Sequence, residues 1–118
     1  MAVKFANNAY TTLSAGIDDS VTTIPVVSTS LFPDLTADGG GHHMYVSIVG
    51  NSYVEIIKVT SFTSTALTCV REQDDTDGTA AILGNRVELR VTTAMLNDLS
   101  GDGEHATKGL AIAMSVAL

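Results

Sequence analysis

A mainly β fold is what the sequence predicts: a small antiparallel β-sandwich or barrel-like domain with one short helix and an apolar C-terminal tail. Three observations predict it. Short runs rich in Val, Ile and Thr recur between residues 9 and 91, and several of them alternate large apolar with polar side chains at period two. Clusters of Gly, Asn, Asp and Ser separate these runs at turn-like spacing. Only one segment, residues 94–99, carries both a helix-type pattern and a capping residue before it.

Taken in order, residues 9–15 and 21–27 read as a strand, a turn and a strand, the turn being Gly16 to Ser20. Pro25 gives no ladder hydrogen bond, so the second of these strands belongs at a sheet edge or carries a bulge, open to a partner. Residues 28–43, with Phe32-Pro33 and three consecutive glycines from Gly39, are too irregular in period for a helix or a strand. Residues 44–49 and 53–60 form the clearest hairpin, joined by Gly50-Asn51-Ser52. In its second strand Val54, Ile56 and Lys58 face one way and Glu55, Ile57 and Val59 the other, so apolar residues sit on both faces. Residues 65–71 add a strand in which Ala66, Thr68 and Val70 oppose Leu67 and Cys69, and residues 86–91 set Arg86, Glu88 and Arg90 against Val87, Leu89 and Val91. Thr92-Thr93 caps a short helix over residues 94–99, expected to cover an end of the sheet. The chain thus divides into a β-rich assembly domain, residues 1–99, and a linker with an apolar oligomerisation or docking tail, residues 100–118, which is too short to cross a bilayer.

Composition narrows the function. With 118 residues, 45% apolar and 16% charged, the chain suffices for one folded domain. Trp is absent and aromatics are 5%, so the core rests on small aliphatics, and a homo-oligomer, a trimer being one candidate count, is expected to bury more surface. The net charge of −7 repels phosphate backbones and anionic membranes, and Lys4, Lys58, Arg71, Arg86, Arg90 and Lys108 form no basic stripe. Neither nucleic acid nor membrane is an expected partner. The first ten residues contain no apolar run of signal-peptide length, so synthesis in the cytoplasm is expected.

No catalytic, cofactor or metal residue is assigned. His42 and His43 adjoin the glycine loop, but a zinc site needs three or four converging ligands and His105 is the only other histidine; loop histidines are the simpler reading. Asp74, Asp75 and Asp77 before Gly78 resemble part of a calcium loop, yet the bidentate Glu expected downstream is missing, which favours an acidic turn. Cys69, alone in a β pattern, reads as a small core residue rather than a nucleophile. Asp18-Asp19 flank a turn and read as solvated charges, and nucleophile-elbow, phosphate-loop and zinc-protease motifs are absent. The candidate partner-contact residues are Pro25, Phe32, Pro33, Leu110, Ile112, Met114 and Val116. A glycan-binding module would need clustered exposed aromatics, and Phe5, Tyr10, Phe32, Tyr45, Tyr53 and Phe62 are the whole supply.

Several local patterns combine: Phe5-Ala6-Asn7-Asn8-Ala9, Thr22-Thr23-Ile24, Phe32-Pro33, Glu55 to Thr60, Leu67 to Arg71, and Arg86 to Thr92. In this order and spacing, over residues 5–99, they resemble a small β domain of tailed-bacteriophage virion proteins, often found at the start of tail-fibre or head-fibre chains. In that family an Arg-Gly-x-x-Gly-Thr type turn commonly follows the strand ending in Arg. Here Arg71 and Gly78-Thr79 keep its ends while residues 72–77 depart from it, so a reshaped turn is expected. The resemblance implies a non-enzymatic virion module, made in the bacterial host cytoplasm, that docks to other phage subunits in the tail or to the major capsid protein. A tail-fibre-type anchor or adaptor is the leading expectation and a capsid decoration (cement) protein the alternative. The chain past Leu99 is too short for a shaft and receptor-binding tip, which weakens a receptor role.

Overall fold

The computed structural model describes residues 3–100, apart from the side chains of Asp38 and Ser100. The described residues are mainly β, as the sequence predicts, with one short helix among them, and their sheet is curled and antiparallel, forming a half-barrel rather than a two-sheet sandwich. Six strands compose it: β1 (Tyr10–Thr12), β2 (Thr23–Pro25), β3 (Met44–Val49), β4 (Val54–Phe62), β5 (Ala66–Gln73) and β6 (Arg86–Leu89). Their spatial order is β1-β6-β3-β4-β5-β2, and every neighbouring pair is antiparallel.

Local chemistry explains most of these elements. The β3–β4 hairpin closes where Gly50 N–H donates to the Tyr53 carbonyl at 3.0 Å. A Cβ on Gly50 would meet the Tyr53 ring at 2.1 Å, so any side chain there would push that ring aside. Two register shifts between β4 and β5, at Ile56/Lys58 and Val59/Ser61, bend the longest pair and so curl the sheet. β1 and β2 are shorter than their sequence runs, at three residues each. Beyond those short ladders the two chains meet each other: Leu13 bridges Val26, Ser14 N–H donates to the Pro25 carbonyl at 3.2 Å, and Val27 N–H donates to the Thr12 carbonyl at 3.0 Å. Pro25 therefore sits in an edge strand, as its missing N–H demands, but that edge is partly covered by the chain's own β1 instead of standing open.

Alternation assigns the faces. Met44, Val46 and Ile48 of β3, Ile57 and Val59 of β4, Leu67 and Cys69 of β5 and Val87 of β6 point inward to one core. Each fully buried aliphatic there contributes roughly 1.5–3 kcal/mol. The irregular segment 28–43, which contains one 3-10 turn (Ala37–Gly39), closes over this core with Phe32 and Leu35. The helix α1 (Thr93–Ser100) starts at Thr92, whose hydroxyl accepts from Met95 N–H at 3.1 Å. It lies on the outer face of β3 rather than over an end of the sheet, because Tyr45 and Ile56 offer it an apolar seat there. Met95 and Leu99 bury themselves against Val3 and Tyr45, a second, smaller cluster separate from the barrel core. The tail, residues 101–118, lies outside the described residues.

Candidate functional site

The inner face is interrupted by one ion pair. Period-two alternation puts Glu55 on the same side of β4 as Ile57 and Val59, and Arg71 on the same side of β5 as Leu67 and Cys69. Both side chains are buried, at 1% and 6% exposed, and they pair in a two-pronged geometry: Arg71 Nε donates to Glu55 Oε2 and Nη2 to Oε1, each at 2.7 Å. The other guanidinium N–H groups reach backbone carbonyls, Nη1 to Asp18 at 3.0 Å and Val21 at 2.8 Å, and Nη2 to Thr79 at 3.0 Å. Glu55 also accepts from the N–H groups of Thr79 at 2.9 Å and Glu72 at 3.1 Å. Arg71 thereby uses its whole set of donors. Burial pushes the Glu55 carboxyl up, but Arg71 and the two N–H groups outweigh it and hold the group below the usual carboxylate range. The guanidinium is raised above its ordinary value by the bonds to Glu55, despite desolvation.

This pair fastens the segments around residues 18–21 and 72–79 to the sheet. Between Arg71 and Thr79 the backbone turns through an uncommon conformation: Glu72, Asp74 and Asp75 take φ values of 59°, 54° and 60°, in the left-handed region that disfavours side chains with a Cβ. Thr76 accounts for the closure, its hydroxyl donating to the Gln73 carbonyl at 2.6 Å and accepting from Ile56 N–H at 2.9 Å. Gly78 is packed so tightly that a Cβ would meet the Asp19 carbonyl oxygen at 2.5 Å. The aspartates of this turn point outward or stand half-buried, and among the described residues no group of three or more His, Cys, Asp or Glu could hold a metal ion.

A second polar cluster docks α1. Asp98 Oδ2 accepts from the Tyr45 hydroxyl at 2.8 Å and lies 2.6 Å from His43 Nε2, while the rings of His43 and Tyr45 meet edge to face. Burial raises the Asp98 carboxyl, and the bonds from Tyr45 and His43 more than offset this, leaving it below its ordinary value. Burial and the neighbouring Asp98 push the Tyr45 phenol up. His42 turns the other way, its Nε2 lying 2.8 Å from the Ala37 carbonyl. The two adjacent histidines therefore point apart and anchor different segments.

A third feature faces water. Ile82 and Leu83 are 65% and 66% exposed, yet hydrogen bonds at Ile82, Gly84 and Asn85 tie down the turn that carries them. Asn85 N–H donates to the Ile82 carbonyl at 3.2 Å, the Asn85 side-chain oxygen accepts from Ile82 N–H at 3.3 Å and from the Tyr53 hydroxyl, and Gly84 N–H donates to the Leu13 carbonyl at 2.9 Å. Gly84 has a φ of 89°, which the turn needs glycine to supply. Exposed Val27 belongs to the segment on the opposite flank of Leu13, so the seam where β1 meets β2 runs between two apolar positions.

The candidate contacts from sequence fall elsewhere. Pro25 and Pro33 are half-buried; Phe32 is 8% exposed and packs on Phe62 with ring centroids 6.5 Å apart, so it serves this chain's own core and no partner without rearrangement. Leu110, Ile112, Met114 and Val116 lie outside the described residues. Cys69 is a buried core thiol, pushed up to about 11 by burial. Sequence reasoning missed the Glu55–Arg71 pair, although both charges stand at inward positions of strands it had phased correctly. It also passed over Ile82-Leu83, whose signal was two adjacent large aliphatics followed by Gly-Asn in the unassigned stretch before the run at residues 86–91. No protein-family model matches this chain, nor does any curated protein.

Proposed function

We propose that the chain is a structural subunit of a tailed-bacteriophage virion, a fibre-type anchor or adaptor that works by docking to other virion proteins and performs no chemistry. The observation that carries the docking part is the Ile82-Leu83 turn. Two large aliphatics held in water by four hydrogen bonds gain nothing for this chain alone, whereas a rigid apolar projection suits burial in a partner at low conformational cost. The disposition of charge supports the same reading: Glu55, Arg71, Asp98 and His43 are engaged with one another and hold structure together. The virion setting is supported by the sequence resemblance over residues 5–99. Copies arrayed by symmetry on a particle raise the effective concentration at each contact, so modest individual docking energies suffice.

Imaging of intact particles with resolved or labelled subunits tests the reading. Density at the tail or its fibres is the expected result. Density over the capsid lattice would replace the adaptor by a decoration role, and absence from the particle would overturn the virion assignment.

A further inference from the structure

The Ile82-Leu83 turn has an acidic flank. Ala81, next to Ile82, exchanges two backbone hydrogen bonds with Ile17, at 2.9 and 3.0 Å, which joins the turn to the loop at residues 18–21. That loop is in turn laced to residues 72–79 through Arg71 and the close approach of Gly78 to Asp19. Asp18, Asp19, Glu72, Asp75 and Asp77 are exposed there and Asp74 is half-buried. No exposed cation in the described residues lies in either loop: Arg71 is buried against Glu55, Arg86 and Arg90 pair with Glu88 on β6 and beyond it, Lys58 is on the outer face of β4, and Lys4 is beside His43.

Resting on the docking reading above, we infer that the Ile82-Leu83 turn inserts into an apolar pocket rimmed by Lys or Arg on a different polypeptide, with the acidic loops 18–21 and 72–79 lying against that rim. A second copy of this chain is a poor occupant. It would bring the same acidic loops or a surface whose described cations are already paired or scattered, and like charges across an interface oppose association. Charge complementarity sets encounter rate and choice of partner, while the aliphatic pair supplies most of the hold.

The test places a photo-crosslinking amino acid at Leu83, and separately at exposed Thr60 on β4, in the full chain supplied to growing phage, and identifies the cross-linked peptides in purified particles. The expected result is cross-linking from position 83, not from 60, to another polypeptide at a site bearing Lys or Arg. In parallel, the Ile82→Ser/Leu83→Ser variant is expected to keep the wild-type urea midpoint but to occupy particles about tenfold less. Asp74→Asn/Asp75→Asn/Asp77→Asn, which keeps side chains tolerant of the left-handed backbone, is expected to reduce the salt sensitivity of binding. Cross-links from position 83 to another copy of this chain, or full occupancy by the aliphatic variant, would overturn the assignment while leaving the virion reading intact. Absence of the wild-type chain from particles would overturn both.

Discussion

Replacing Arg71 by Met removes one side chain and leaves two kinds of damage. The Glu55 carboxylate stays 1% exposed with only the Thr79 and Glu72 N–H groups to stabilise it, and the carbonyls of Asp18, Val21 and Thr79 lose a donor. Breaking a buried ion pair from one side costs about 3–5 kcal/mol, and the three carbonyls can recover water only if the loops lift off the sheet. A small domain is stable by about 5–15 kcal/mol, so the expected loss of about 4 kcal/mol removes a large part of the total. With a urea slope of about 1.5 kcal/mol/M, the midpoint falls by about 2–3 M. Urea titration followed by far-ultraviolet circular dichroism measures this. The pH dependence supplies a second, independent sign. In the wild type the folded Glu55 carboxyl lies below its ordinary value, so its stabilisation is complete above the ordinary carboxylate range and is lost as pH falls through the lowered value. In Arg71→Met burial is opposed by the Thr79 and Glu72 N–H groups alone, so the group lies higher than in the wild type and the variant's deficit, present at neutral pH, shrinks on mild acidification. A neutral-pH loss under about 1 kcal/mol, the range of solvent-exposed pairs, or a deficit that widens in mild acid, would refute the staple.

Gly78→Ala should cost about 1–3 kcal/mol, since the new methyl meets the Asp19 carbonyl at 2.5 Å and the backbone must shift; an unchanged thermal midpoint would contradict the packing. Asp98→Asn weakens both bonds that hold α1, so amide exchange over residues 93–100 should accelerate while β3–β5 amides stay protected, because the helix packs in its own cluster. Uniform acceleration across the sheet would show that the two clusters are one cooperative unit. Cys69 should resist a thiol reagent in mildly alkaline buffer and react promptly in urea, its thiol being buried and pushed up to about 11; rapid native labelling would place it at the surface.

Period two made the strands legible. Residues 44–49, 54–62, 66–73 and 86–89 lie close to where alternation put them, and the expected facing of Ile57 and Val59 against Ile56 is the observed one. Strand order could not be read, because β1 and β2, adjacent in sequence, pair with β6 and β5, and only contacts made far along the chain select that arrangement. Tertiary packing also decided α1: its apolar stripe fits any apolar seat, and Tyr45 on the outer side of β3 was indistinguishable in sequence from a core aromatic. The Glu55–Arg71 pair was available in principle. Two opposite charges on inward positions of consecutive strands have few outcomes except pairing, but the bulge between Ile56 and Lys58 makes their register invisible without coordinates.

On the proposed docking role, the same pair joins stability to docking. Arg71 fixes the loop at residues 18–21 through Asp18 and Val21 and the following segment through Thr79, and two residues after Thr79 the chain bonds Ile17 and enters the Ile82-Leu83 turn. An exposed apolar turn that was floppy would lose its rotamer and backbone freedom on binding and forfeit much of the gain from burying two aliphatics, about 1.5–3 kcal/mol each at best. Here much of the backbone part of that freedom is already removed when the half-barrel folds. A buried charge pair is a poor source of stability compared with a well-packed aliphatic pair of equal volume, yet aliphatics could not hold three backbone carbonyls. The geometric reach of one guanidinium to three separate loop positions is what an aliphatic substitute would lack, and this gives a physical reason for a β core built on small aliphatics to retain one fully engaged arginine.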